Sequence, residues 1–378
     1  MENLLFELTN EQRKYFGLVP AEKHWELVKL NNIYLYFDGD IIRKEILADN
    51  DSYLERELCE KTVENKTILL PKTAKGKPKK LNYTATQSFS LFGVYVYFSL
   101  SNKFLSIANY TTQTTYFHEK FDREKNFENI KLWIKQWMAD TSDKDLQEIE
   151  SFRTAARQHC KFREGDFFSF KIGRRHWGFG RILIDVAKLR KTEEFKKQNN
   201  YGLANLMGKP LIVKVYHKIS DTLNIDLDEL KKCMALPSQA IMDNCFYYGE
   251  HKIIGHQNLT IGEYDMLISF SPINKNIVYL QYGFIYKEMN ISKFNQYLKN
   301  KTLMSNFSIN PYRNESIGFG LKIDNLKQCI ESKSNNPFWN CDYYKWDLRN
   351  PKNAKIKKDI FSVFGLDPDK SYKENLEL

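Results

Sequence analysis

Histidine and cysteine, the residues that most often bind metals or carry out nucleophilic chemistry, are present in this sequence without a recognisable spacing. The seven histidines are far apart in the chain: His24, His118, His159, His176, His217, His251 and His256. No two fall at HxH or HExxH spacing, which metal-dependent hydrolases use to activate water. The six cysteines form no CxxC pair and no zinc-type spacing with histidine. The sequence therefore predicts no metal, no cofactor and reduced thiols in a cytoplasmic protein.

Other catalytic signatures are also missing from the sequence. There is no GxSxG elbow, no Walker loop and no GxGxxG-opened βαβ unit. His159 and Cys160 are neighbours, but adjacent side chains diverge on both a strand and a helix, so a nucleophile–base pair between them is excluded. We predict no catalytic residue, and the chemistry we expect is recognition.

The first candidate contact group is the run Arg174-Arg175-His176-Trp177, which follows Gly173 in a predicted turn. Arginine and tryptophan are favoured at interface hot spots, because one supplies forked donors and the other a large apolar area. The alternative is that both arginines are solvated turn residues and that Trp177 belongs to the core.

The second candidate contact group is the densest basic run in the chain. It contains five lysines: Lys72, Lys75, Lys77, Lys79 and Lys80. Two prolines and a glycine within the run prevent a helix, so the sequence predicts a basic loop that could bind phosphate or acidic side chains. An ordinary solvated hairpin loop would have the same composition.

The overall charge points to the same class of partner. The net charge is +10 and the pI is about 9.0, which favours an acidic protein or a nucleic acid. No window approaches the roughly 18 apolar residues of a membrane-spanning helix, so no membrane partner is predicted.

The elements that would position the first contact group form a predicted β-hairpin. Phe168, Phe170 and Ile172 alternate with polar residues, as in a half-buried strand, and a second strand begins at Trp177. Arg181 lies within this apolar second strand. A buried arginine requires a carboxylate, and we expect Asp166 or Asp185 to supply it.

At 378 residues the chain is expected to contain two or three domains. Hydrophobic periodicity predicts the α+β class in four parts. These are a mainly-β domain at 1–127, a helical connector at 128–159, a curled sheet or SH3-like barrel at 160–290 and a mixed, mostly helical extension at 291–378.

Several short elements are predicted from local composition. Aromatic and β-branched residues predict strands at Asn82–Thr86, Phe246–Tyr248 and Ile317–Leu321. A helix is predicted at Asn353–Phe364, ending at Gly365.

The hairpin also carries a family resemblance. Gly165-Asp166, Phe168, Phe170, Ile172-Gly173 and Trp177-Gly178-Phe179-Gly180-Arg181 resemble the opening signature of the Immunity-26 family, predicted immunity proteins of bacterial polymorphic toxin loci. The segments Leu211–Tyr216, Gly249–Gly255 and Tyr282-Gly283-Phe284 are similar to the rest of that domain, so the resemblance covers roughly 160–290.

The resemblance implies a β-rich domain that binds and neutralises a cognate bacterial toxin, and it supplies no catalytic residues. We therefore expect an immunity-type protein that acts by stoichiometric binding. A basic nucleic-acid-binding protein is the alternative. A metal-dependent hydrolase is a third hypothesis, because some family members carry a phosphotriesterase label, but the histidine spacing argues against it.

Overall fold

The computed structural model describes residues 6–120, 126–298 and 311–378. The chain divides into two compact units, Met1–His159 and Cys160–Leu378. Both units combine antiparallel sheets with helices, which confirms the α+β class. The helices predicted at 128–159 belong to the first unit and the predicted extension at 291–378 belongs to the second. The four domain bounds themselves stay a prediction.

The first unit is built on an antiparallel sheet of nine strands. In chain order these are β1 (Glu26–Leu30), β2 (Ile33–Asp38), β3 (Ile41–Ala48), β4 (Ser52–Val63), β5 (Ile68–Leu70), β6 (Lys79–Lys80), β7 (Phe92–Ser99), β8 (Phe104–Asn109) and β9 (Thr114–Lys120). The main path is β1-β2-β3-β4-β7-β8-β9, and β5 pairs with β4 and β6.

In the described residues of this unit, four helices accompany the sheet: α1 (Asn10–Lys14), α2 (Tyr83–Thr86), α3 (Phe127–Ala139) and α4 (Asp143–Thr154). Asn126 caps α3 by accepting from the Asn129 N–H, and Ser142 opens α4 with a capping box. Ile130, Ile134 and Trp137 of α3 are buried against the sheet, in one core with residues of β7 and β8. The helices at 128–159 therefore complete the core of the first unit.

The described part of the second unit contains two further antiparallel sheets. The first has the strand order β13-β12-β11-β10-β14 and the second has the order β15-β16-β17. Their strands are β10 (Asp166–Ile172), β11 (His176–Asp185), β12 (Pro210–Ser220), β13 (Gln239–Met242), β14 (Lys252–His256), β15 (Ile268–Pro272), β16 (Ile277–Tyr282) and β17 (Ile285–Asn290).

Short helices surround these sheets. They are α5 (Val186–Leu189), α6 (Glu193–Lys196), α7 (Tyr201–Ala204), α8 (Leu227–Lys232), α9 (Asn244–Tyr247), α10 (Ile291–Tyr297), α11 (Leu326–Glu331), α12 (Asn336–Trp339), α13 (Ala354–Phe364) and α14 (Tyr372–Leu376). Single 3-10 turns occupy Ile261–Glu263, Asp342–Tyr344 and Pro351–Asn353.

The C-terminal helices form part of the core of the second unit. Phe361 and Phe364 of α13 are buried with residues of β15 and β16. On the five-stranded sheet, Phe338 and Trp339 of α12 pack in one cluster with Phe168 of β10. The second unit therefore requires residues well beyond the segment that carries the family resemblance.

Three of the short predicted strands are wrong. Residues 83–86 form α2, and residues 244–247 form α9. The segment 317–321 contributes only one bridge, between Gly318 and Ile241. The helix at 354–364 and its end at Gly365, which has a φ of 72°, confirm the prediction there.

Candidate partner-binding surface

The predicted hairpin is present as β10 and β11. Phe168 lies opposite Gly180 and Phe170 opposite Gly178. A Cβ atom at either glycine would overlap the aromatic ring across the ladder, so the two glycines provide the space in which those rings pack. The glycines and phenylalanines of this signature therefore specify packing of the five-stranded sheet.

The residues 174–177 lie at the tip of this hairpin. Arg175 and His176 are exposed, and Arg174 and Trp177 are half-buried. The Nδ1 atom of His176 is 2.6 Å from the Oδ1 atom of Asp221, at the exposed surface. The structure thus brings the four predicted contact residues together at one end of the sheet.

Trp177 combines a core contact with a basic environment. Its ring packs beside the buried cluster of Phe167 and Tyr216. The Nζ atoms of Lys171 and Lys252 lie 4.4 Å and 5.4 Å from the centre of the indole. Cation–π contacts of this kind are worth roughly 0.5–1 kcal/mol at exposed sites. Lys252 is a member of this group that sequence reasoning missed, because it comes from β14.

Arg181 is fully buried, but neither predicted carboxylate is its partner. It forms an ion pair with Glu263, and its Nη2 atom donates to the carbonyl of Gln257 at 2.7 Å. The guanidinium also lies 4.4 Å from the centre of the Phe167 ring. Arg181 therefore stabilises the sheet and is not available to a partner.

Strand geometry explains why the two predicted carboxylates are wrong. Asp166 precedes Phe167, which lies directly opposite Arg181, and successive side chains point to opposite faces. The Oδ1 atom of Asp166 is instead 2.8 Å from the Nδ1 atom of His256. Asp185 lies four residues beyond Arg181 on β11, roughly 13 Å away along the strand. Its carboxylate forms an ion pair with Lys188 at 3.0 Å instead.

The lysine-rich run spans the hairpin loop between β5 and β6 in the first unit and continues into β6 itself, which is Lys79–Lys80. Thr73 and Lys77 close a turn at its tip, with the Thr73 N–H donating to the Lys77 carbonyl at 3.0 Å. Four of its lysines are exposed and have no carboxylate within 4 Å in the described parts of the chain: Lys72, Lys75, Lys77 and Lys80. Lys79 is half-buried and donates to the Ser88 hydroxyl at 2.6 Å.

The described residues contain no group of three or more histidine, cysteine, aspartate or glutamate side chains that could hold a metal ion. His217 contacts the Asn335 side chain at 2.9 Å, while His251 is buried among aromatic rings. Within residues 6–120, 126–298 and 311–378, no helix is both long and apolar enough to cross a membrane.

The comparisons with known proteins address the second unit. No curated protein and no solved structure matches the chain. Residues 163–276, which include the five-stranded sheet and β15, match the family model described as Immunity protein 26, and the resemblance predicted from the Gly165–Arg181 hairpin is thereby confirmed.

Proposed function

We propose that this chain is a cytoplasmic immunity protein that neutralises a cognate bacterial toxin by forming a stoichiometric protein–protein complex. The observation that carries the proposal is the match of residues 163–276 to Immunity protein 26. An immunity family has a toxin protein as its general partner. The basic, aromatic surfaces described above supply contacts of the kind that protein interfaces use.

The charge of the chain suggests how the complex forms. With a net charge of +10, the protein attracts an acidic partner over the distance of a Debye length. Arg174, Arg175, His176 and Trp177 offer a hot-spot composition at one surface. The lysine loop offers four cations that have no carboxylate within 4 Å among the residues that the structure describes. Charges of this kind act mainly on the rate of association.

Co-expression with the toxin encoded beside its gene is the direct test. We expect the full-length chain to restore growth and to co-purify with the toxin domain in a one-to-one ratio. The control is a toxin domain from an unrelated locus, which should be neither bound nor neutralised. Absence of both protection and a complex with the neighbouring toxin would overturn the proposed function.

Neutralising the loop is expected to slow association with the toxin domain. The variant replaces four lysines with glutamine: Lys72→Gln, Lys75→Gln, Lys77→Gln and Lys80→Gln. We expect the association rate at low salt to fall roughly 10-fold or more and the salt dependence to become shallower. Stopped-flow or biolayer measurements across ionic strengths would record both effects.

A matched control separates the loop from net charge. Four exposed lysines elsewhere in the first unit can be replaced by glutamine to give the same total charge: Lys14, Lys23, Lys135 and Lys144. Equal slowing in both quadruple variants would show that the loop has no special role. Salt-sensitive binding of the wild-type chain to single-stranded DNA oligonucleotides, lost in the loop variant only, would instead favour nucleic-acid binding.

A further inference from the structure

Three large aromatic side chains are exposed close together on the second unit. The exposed fraction is 78% for Phe319, 54% for Tyr343 and 45% for Trp346. Gly318 and Gly320, the neighbours of Phe319, line the same shallow cleft as Tyr343. Trp346 follows Tyr343 by three residues, directly after a 3-10 turn. The three rings therefore surround one region, which we name the aromatic patch.

The backbone that carries these rings is held in place. The Gly318 N–H donates to the Ala240 carbonyl on β13 at 2.9 Å, and the Met242 N–H donates to the Gly318 carbonyl at 2.9 Å. The Trp346 ring meets the buried Tyr312 ring edge to face, with 5.8 Å between ring centres. Rings held outward on a fixed backbone lose little main-chain entropy when a partner buries them.

Lysines accompany the aromatic patch. The Lys322 ammonium lies against the Tyr343 ring. The Lys345 ammonium lies 5.3 Å from the centre of the Trp346 ring. Among the residues that the structure describes, no carboxylate lies within 4 Å of either ammonium group. Asp342 is exposed in the same segment and offsets one of the two charges, so the patch keeps a positive excess.

The charge of the whole unit also favours an anionic partner. Residues 1–159 contain equal numbers of acidic and basic side chains, so the entire net charge of +10 lies on the second unit. Lys352 and Lys355 are exposed a few residues beyond Trp346 and add to the positive potential near the patch. The second unit is therefore attracted to a surface that carries many anionic groups.

The shape of the patch distinguishes between an acidic protein and an anionic membrane. The cleft between the rings has room for about one water molecule, so it cannot receive a side chain or a headgroup. The exposed rings must instead enter the partner. A folded protein would need a matching pocket for each separate ring. The interface of a bilayer is deformable, and it accepts aromatic side chains beside lysines without such pockets.

We propose that the aromatic patch and its lysines bind the surface of a membrane that contains anionic lipids. Phe319 and Trp346 enter the boundary between headgroups and acyl chains, while Lys322 and Lys345 contact lipid phosphate groups. This binding activity is additional to the toxin binding proposed above and does not depend on it. The prediction of no membrane partner rests on membrane-spanning segments, and a surface contact of this kind requires no long apolar segment.

Vesicle flotation of the full-length chain tests the proposal. We expect binding to phosphatidylcholine vesicles that contain about 30% phosphatidylglycerol, and binding to phosphatidylcholine alone should be weaker by roughly 10-fold or more. Phe319→Ala and Trp346→Ala should each lower the partition coefficient roughly 5- to 10-fold, because each removes a ring from the interface. Lys322→Gln and Lys345→Gln together should lower it roughly 30-fold, because each lysine near an anionic surface contributes roughly 5-fold.

Tryptophan fluorescence tests whether the patch itself enters the bilayer. Lipids brominated in their acyl chains should quench the wild-type protein. The quenching should be lost in Trp346→Phe, which keeps an aromatic ring and should still bind. Because Phe319 and Trp346 are exposed, the unfolding midpoints of Phe319→Ala and Trp346→Phe should equal that of the wild type.

The matched controls change exposed side chains of the first unit. They are Leu132→Ala, and Lys135→Gln combined with Lys144→Gln. Both should bind anionic vesicles as the wild type does. No binding of the wild type to anionic vesicles, or equal binding by the patch variants, would overturn the proposal.

Toxin binding gives a separate readout. If the wild type does not bind vesicles and Phe319→Ala binds the neighbouring toxin domain more weakly than the wild type does, the patch is a protein-binding surface and the membrane proposal is wrong. Neutralisation of the toxin is measured without vesicles, so a failure of vesicle binding leaves the proposed function standing. A failure of neutralisation likewise leaves the membrane contact standing.

Discussion

Replacing Glu55 with glutamine is expected to lower the free energy of unfolding of the first unit by about 3–5 kcal/mol. Glu55 is fully buried on β4 and contacts two buried cations. Its Oε1 atom lies 2.6 Å from Lys44 Nζ and 2.8 Å from Arg13 Nε. The Tyr53 hydroxyl donates to its other oxygen. The glutamine variant would leave Glu7 to compensate Arg13, and in the described residues Lys44 would keep only the longer-range attraction of Glu57, which lies opposite it on β4.

The pH dependence of this effect has a definite sign. Burial acts to raise the pKa of Glu55, but Lys44 and Arg13 outweigh it and hold the pKa below the usual 4.5. A carboxyl with a lowered folded pKa contributes stability that is present above its unfolded pKa and is lost as pH falls through its folded pKa. The difference between wild type and Glu55→Gln should therefore be full near pH 7 and should shrink below pH 4.5.

Urea unfolding followed by circular dichroism, with hydrogen exchange of β4 peptides, would measure the loss in the first unit. The control is Glu128→Gln, which removes an exposed ion pair with Lys131 on α3 and should change stability by less than about 1 kcal/mol. Adding Lys44→Met to Glu55→Gln should restore part of the loss, because the uncompensated ammonium is removed as well. A Glu55→Gln variant as stable as the wild type would contradict this account.

The elements that the sequence predicts correctly are those with strong local signals. The β10–β11 hairpin alternates polar and apolar residues around a glycine turn, and tertiary pairing agrees with that pattern. The end of α13 at Gly365 follows from the freedom of glycine to adopt a positive φ. Local and tertiary preferences coincide at these places, so either one alone gives the right answer.

At the short strands that were predicted wrongly, local composition and tertiary structure disagree. Residues 82–86 have the tyrosine and threonines of a strand, yet the Asn82 side chain accepts from the Ala85 N–H at 2.9 Å and starts α2. Phe246 is buried against Phe168 from a helical turn instead of a strand. A single side-chain cap or one buried ring decides the structure of a four-residue element, and composition does not contain that information.

The candidate contacts depend even more on long-range placement. Lys252 reaches Trp177 because β14 pairs with β10, and Glu263 reaches Arg181 across 82 residues of chain. Phe319 would be assigned to the core by its residue type, although its ring is exposed. The sequence identifies which residue types could bind a partner, and only the fold decides which of them face outward.

Replacing His251 with leucine is expected to remove a large part of the acid sensitivity of the second unit. The His251 ring is buried, nearly parallel to Phe168 at 5.6 Å and perpendicular to Phe246 at 5.2 Å between ring centres. Neither ring nitrogen has a hydrogen-bond partner among the described residues. Burial in this apolar environment lowers the pKa of His251 from 6.5 to about 3.

The sign of the pH effect follows from proton uptake. Below pH 6.5 the unfolded chain protonates this imidazole, whereas the folded chain does so only near pH 3. The unfolded state therefore binds more protons in this window, and stability falls as pH falls, by at most about 1.4 kcal/mol per pH unit from this residue. Over the whole window the contribution of His251 reaches roughly 4–5 kcal/mol as an upper limit.

Two variants separate the charge of His251 from its polarity. Leucine has a similar volume and no polar atoms, so His251→Leu should match or exceed wild-type stability at pH 7 and lose the histidine contribution to the pH slope. Glutamine does not titrate but remains polar, so His251→Gln should lose the same slope while being less stable at pH 7. Urea unfolding between pH 4 and pH 8, with hydrogen exchange of β10 and β14 peptides, gives both quantities. If His251→Leu keeps the wild-type slope, the acid sensitivity comes from other groups, and the buried imidazole is protonated or solvated in the folded protein.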